Sequence, residues 1–191
     1  MSRLDGWFRF HMVTSKKYFE LSIEHLQSIA GWAAECAQRS LDIYEQCMRN
    51  DDRPRKAIDL TKEFVVTGKR TNLLRKAAMD AHRASMQTTD AAASAAAKAA
   101  SLAAASAFTH PFSDIYQARH ILGSAANSAF AIELSFKENS QVGAKEIEWA
   151  AINADYKVVQ ILRKMPEQTG QGRRLDELMK VLDQLLRKPN G

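Results

Sequence analysis

Between Ala91 and Phe108 the chain places twelve alanines in eighteen residues, with neither proline nor glycine, and this stretch limits the possible fold more than any other. Alanine has the highest helix propensity of any residue because it loses no side-chain freedom in the helical conformation. Thr89 or Asp90 stands at the start as an N-cap. A helix this thin is covered only by neighbours that approach closely, and the interleaved Leu102 and Phe108 supply contact points along it. The same low complexity would suit a flexible linker, but a linker would be expected to carry glycine or proline. A central, packed, Ala-rich helix is therefore expected.

The flanking segments carry apolar side chains at the 3-and-4 spacing of one helical face. Residues 23–48 do so through Leu26, Ile29, Ala30, Ala33, Ala37, Leu41 and Tyr44, with Ser22 as N-cap. The next helix opens at Asn50-Asp51-Asp52-Arg53-Pro54, an acidic cap ahead of a first-turn proline, and stops at Gly68. A third follows Thr71 with Leu73, Leu74, Ala77, Ala78 and Ala81, ending near Met86. His110-Pro111 breaks the chain after the Ala-rich helix, and a helix from about Asp114 to Phe136 follows. Residues 144–164 and 174–187 are amphipathic through Ile147, Ala150, Ala154, Val158 and Ile161, then Leu175, Leu178, Leu182 and Leu185, joined across Pro166 and Gly170. No segment alternates as a strand does. The expectation is an all-α, single-domain bundle of about seven helices, divided into an N-terminal arm (1–21), a helical core (22–136) and a C-terminal helical pair (137–191) that packs on the core or extends from it.

The formal net charge of +5 is compatible with nucleic acid, an anionic membrane surface or an acidic protein partner, but the basic residues come in interrupted pairs. That favours an ordinary solvated surface over a nucleic-acid face. Cys36 and Cys47 lie eleven residues apart in one helix, about 16 Å along its axis, too far for a disulfide, so a reducing, cytoplasmic home is expected. The opening MSRLDGWFRFHMV lacks the apolar run of a signal peptide, and no window reaches the length of a membrane span. Its Trp7, Phe8, Phe10 and Met12 suit a partner or membrane-surface patch, or a segment docked back on the bundle.

Catalytic spacing is missing. None of the five histidines has a glutamate three residues before it or a histidine four residues away, so a metal site would need ligands from distant segments. Cys36 sits mid-helix among Ala33, Ala37 and Ser40 and reads as a small core residue rather than a nucleophile. There is no Gly-x-Ser-x-Gly turn and no phosphate loop. The most distinctive charged feature is Asp51-Asp52-Arg53-Pro54-Arg55-Lys56, which either presents a guanidinium fork to a partner or caps a helix and ties two helices together.

Trp32-Ala33-Ala34-Glu35-Cys36-Ala37, with Arg39, Leu41, Tyr44 and Glu45, is followed at close spacing by Asp51-Asp52-Arg53-Pro54-Arg55-Lys56-Ala57. Further on come Arg75-Lys76-Ala77-Ala78, His82-Arg83-Ala84, the Ala-rich helix, Phe108-Thr109-His110-Pro111 and Arg119-His120-Ile121-Leu122-Gly123-Ser124-Ala125-Ala126. In order and spacing these blocks, over residues 22–134, resemble a bacterial immunity-protein family with an immunity-five-like domain. The resemblance implies an all-helical protein that binds and neutralises a cognate toxin of a polymorphic toxin system, and it supplies no catalytic residues.

A non-enzymatic binding protein is thus expected, without cofactor or metal, acting on a protein partner rather than on nucleic acid or membrane. The candidate binding residues are Asp52, Arg53 and Arg55, with His82, His110 and His120 lining an interhelical groove. The alternative is a small-molecule- or metal-binding bundle, or an enzyme, built around an interhelical pocket of the same His and Arg side chains. An exposed Leu175-Leu178-Leu182-Leu185 stripe would favour a dimer; a covered one would close the bundle.

Overall fold

A computed structural model describes residues 17–170 and 172–188, so the aromatic residues Trp7, Phe8, Phe10 and Met12 lie outside the described residues. Within them the chain forms eight helices: α1 (Ile23–Cys47), α2 (Arg53–Thr67), α3 (Asn72–Gln87), α4 (Ala91–Ser106), α5 (Ile115–Ser135), α6 (Ser140–Ile152), α7 (Tyr156–Leu162) and α8 (Arg174–Arg187). No strand occurs among the described residues beyond one isolated bridge between Tyr18 and Phe112. The all-α bundle of about seven helices is present, and the single segment expected over 144–164 is cut in two. Asn153 ends α6, and the Asp155 carboxylate accepts the Lys157 N–H to start α7. The apolar spacing runs through this cut unchanged, whereas the cap stops the helix.

Most starts are capped as the local residues dictate. Ser22 and His25 form a reciprocal capping box, and Thr71, Asp90 and Asp114 accept backbone N–H groups at the starts of α3, α4 and α5. The acidic cap expected within Asn50-Asp51-Asp52 is split between its two aspartates. Asp52 occupies the N-cap position of α2 but makes no side-chain cap bond, and it is Asp51 whose carboxylate accepts the Arg53 N–H. Gly68 closes α2 in the left-handed conformation (φ 66°), which glycine adopts at no steric cost.

The Ala-rich α4 packs against α1, α2, α3 and α5, and Ala96, Ala97, Ala99, Ala100, Ala103 and Ala104 have no solvent exposure. The small side chains let backbones come near enough for serine hydroxyls to bridge helices. Ser124 Oγ of α5 reaches the carbonyls of Ala33 in α1 and Ala99 in α4 at 2.7 and 3.0 Å, and Ser101 Oγ of α4 donates to Ala78 O of α3 at 2.8 Å. Replacing Ala100 by leucine is expected to destabilise the fold by about 1–3 kcal/mol, because three extra carbons have no space to enter; urea unfolding measures this.

Helix α1 forms the wall between two apolar clusters. Its Leu26, Ala30, Ala33, Ala37 and Leu41 pack with α2, α3 and α4, while Ile29, Trp32 and Cys36 pack with α5 to α8. Helix α8 contributes Leu178 and Leu182 as buried residues and Leu175 and Leu185 as partly buried ones to this second cluster. The leucine stripe therefore closes the bundle within one chain, and the C-terminal helices pack on the core.

Candidate functional site

The six residues singled out by sequence lie in two separate places. Asp52, Arg53 and Arg55 sit at the corner between α1 and α2, and no hydrogen bond or ion pair joins them to His82, His110 or His120, which belong to α3, the α4–α5 connection and α5.

At the corner the guanidinium groups are already engaged by the chain itself. Arg53 Nε donates to Asp51 at 2.8 Å, and its Nη2 donates to Asp51 at 2.5 Å and to Gln87 Oε1 at 2.7 Å. The buried Tyr44 hydroxyl donates to the same Asp51 carboxylate at 2.6 Å. The Arg53 guanidinium, with help from that hydroxyl, holds the Asp51 carboxyl below the usual carboxylate range, while burial and then Asp51 push the Tyr44 phenol upward. Arg55 grips Glu45 of α1 through two 2.5 Å bonds, and Asp52 pairs with Lys56 one turn on. Alanine at Arg53 is expected to lower the melting temperature by several degrees, since it strips a part-buried network. Alanine at the more exposed Arg55 should cost less than about 1 kcal/mol. Both variants should bind a protein partner as wild type does; calorimetric melting and titration together check this.

The histidines surround a feature that sequence reasoning passed over. Lys98, the sole charged side chain of α4, donates its ammonium to His82 Nδ1 at 2.9 Å from a half-buried position. His120, on α5, has a buried Nδ1 with no hydrogen-bond partner among the described residues. His110 is exposed, its ring stacked on Phe112 at 5.7 Å, and its backbone N–H donates to Gln117 Oε1 at 2.8 Å. Burial, the nearby His110 and Lys98 all lower the pKa of His120; burial and then Lys98 lower that of His82; burial lowers that of Lys98 itself. The signal available in the sequence was one lysine inside an eighteen-residue alanine run, where nothing local requires a charge. Next to Lys98 lies an open groove of about 520 Å³, lined in part by Met86, Ser94, Asn127, Phe130 and Leu175.

These depressed histidines set a pH dependence. The unfolded chain takes up protons near pH 6.5, whereas the folded chain resists doing so, so stability present at pH 7.5 is progressively lost as pH falls through that value. Melting temperature is expected to drop between pH 7.5 and 5.5, and to drop less in a His82→Gln, His120→Gln double variant.

Other candidate chemistry resolves differently. Cys36 is buried, and burial pushes its thiol well up from the ordinary value, so it packs as a core residue. Among the described residues no group of three His, Cys, Asp or Glu side chains is placed to hold a metal ion, and no helix is long and apolar enough to cross a membrane.

The fold and this face define an all-α bundle with an open groove bordered by basic and apolar side chains. Residues 20–155 match the family described as Imm-5 like putative immunity protein, and over this majority of its length the chain belongs to that family. The match covers α1 to α6 and ends at Asp155, the cap of α7. No curated protein and no solved structure matches the chain.

Proposed function

We propose that this protein binds a cognate toxin through a direct protein–protein contact and neutralises it as a stoichiometric, non-enzymatic inhibitor in the cytoplasm. The observation that carries this reading is the family match over residues 20–155. The rigidity of the bundle supports it. Tightly packed alanine helices with serine bridges change shape little on binding, so the ordering cost of association is small. The small-molecule reading asked for one pocket shared by the histidines and arginines, and these occupy separate places.

The test is co-expression with the toxin encoded in the same locus, followed by purification and light scattering of the mixture. Growth restored by the protein, together with a complex of fixed stoichiometry, supports the reading. Persistent growth arrest with no complex overturns it.

A further inference from the structure

Lys98 is a half-buried cation to which the described residues offer no anion. Its hydrogen-bond partner is the imidazole of His82, and it takes part in no ion pair among the described residues. The absence is systematic along this face. Helix α4 contains no acid, the one acid of α3 is Asp80, held by Lys76 and Arg83, and the one acid of α5 is Glu133, held by Arg174. Asp90 and Asp114 are spent on capping α4 and α5. Burying an ammonium beside a neutral imidazole costs desolvation free energy that a carboxylate would offset.

The surroundings fit a protein carboxylate. The outward stripe of α4 runs Ala91, Ser94, Lys98, Leu102 and Ala105 at helical spacing, and none of these five is buried. On the α3 side, Arg75, Met79, His82 and Met86 share a stripe; Met79 and Met86 are exposed, and Arg75 lies 4.3 Å over the Phe108 ring. On the α5 side stand exposed Tyr116 and the unpartnered Nδ1 of His120. Leu102 covers Gly123, where an added Cβ would stand 3.0 Å from Leu102 Cδ1, so α4 and α5 are locked together here and the groove floor is fixed. Flexible methionines accommodate apolar side chains of varied shape. A lysine set among imidazoles and thioethers in an open groove suits one Asp or Glu with apolar neighbours better than the repeated charge of a nucleic acid.

We propose that the α3–α4–α5 face is the toxin-binding surface and that it receives an acidic side chain of the partner on Lys98, with apolar partner residues resting on Met79 and Met86. This rests on the immunity reading above and names the chemistry of the surface it needs. Lys98 is then a cation paired inside the described fold with an imidazole and no acid, for the sake of an external carboxylate.

The experiment uses the full chain with Lys98→Met, which keeps the buried stem and removes the charge, and Met86→Glu, a change at an exposed position that leaves the core alone. Lys98→Met is expected to melt at the wild-type temperature or above it, yet to bind the toxin at least about 30-fold more weakly. Met86→Glu is expected to melt as wild type and to weaken binding similarly, by setting a like charge against the partner's acid. Wild-type affinity in both variants would sink the proposed surface while leaving the immunity reading intact.

If the wild-type protein neutralises no toxin of its locus, that reading fails and the surface is judged alone by nuclear magnetic resonance titration. The probes are a capped Leu/Glu helical peptide, its Leu/Gln counterpart and inorganic phosphate. Saturable shifts of the His82 and His120 ring signals by the Glu peptide only, lost in Lys98→Met, support a carboxylate seat. No shift, or equal shifts with the Gln peptide or phosphate, overturns it.

Discussion

Replacing Arg174 with alanine is expected to destabilise the protein by about 3–5 kcal/mol, the cost of leaving a buried carboxylate without its partner. Arg174 opens α8, and its position in that first turn gives no hint of its role. Its Nε and Nη2 each donate to the Glu133 carboxylate at 2.9 Å, and its Nη2 also reaches Ser140 O at 3.3 Å. Glu133 is only 4% exposed, and the neighbouring helix α6 crowds it at Gly143, where even a Cβ would collide with the carboxylate. The bidentate fork therefore joins α5, α6 and α8 at one point. In Arg174→Ala the carboxylate stays buried with its main donors gone. Urea unfolding is expected to show a midpoint far below wild type. An Arg174→Met, Glu133→Gln double variant should recover much of the loss, since removing both charges removes the uncompensated one. Equal loss in the single and double variants would mean that packing rather than charge holds the junction.

Trp32→Ala is expected to cost a similar 3–5 kcal/mol. Trp32 is 3% exposed in the cluster shared by α1, α5, α6, α7 and α8, and its Nε1–H donates to Ala150 O of α6 at 2.9 Å. Truncation opens a cavity the size of an indole and leaves that carbonyl without its donor, and the close-packed Ile, Leu and Met side chains of this cluster relax only partly into the space. Thermal melting together with the urea midpoint measures the loss. Trp32→Phe separates the contributions, because it restores most of the volume and none of the hydrogen bond. A loss in Trp32→Phe as large as in Trp32→Ala would place the weight on the hydrogen bond instead of the cavity.

Much of the architecture could be read from local signals. Ser22, Thr71, Asp90 and Asp114 cap where their side chains can reach the next turn, and Gly68 ends α2 through its own backbone freedom. Such contacts span two to four residues, so neighbours along the chain suffice to set them. The break at Asn153 to Asp155 was visible as a cap signal but was overrun by the longer apolar periodicity of 144–164. The candidate site was only partly legible. The histidines stand out singly in the sequence, whereas the meeting of Lys98 with His82 joins residues sixteen positions apart on two helices.

What the sequence by itself determined is the helical class, the thin central helix and most of the helix ends, because propensity, capping and apolar spacing are properties of a few adjacent residues. Only the tertiary structure decided which charges meet. It gave Arg53 to Asp51 and Gln87, Arg55 to Glu45, and Arg174 to Glu133 across 41 positions of sequence, and it left Lys98 with an imidazole and no acid. It also turned the α8 leucines inward against α5 and α6. The physical reason is that pairing energies between charges depend on distance and burial in space, and these emerge only when the alanine-faced helices have packed.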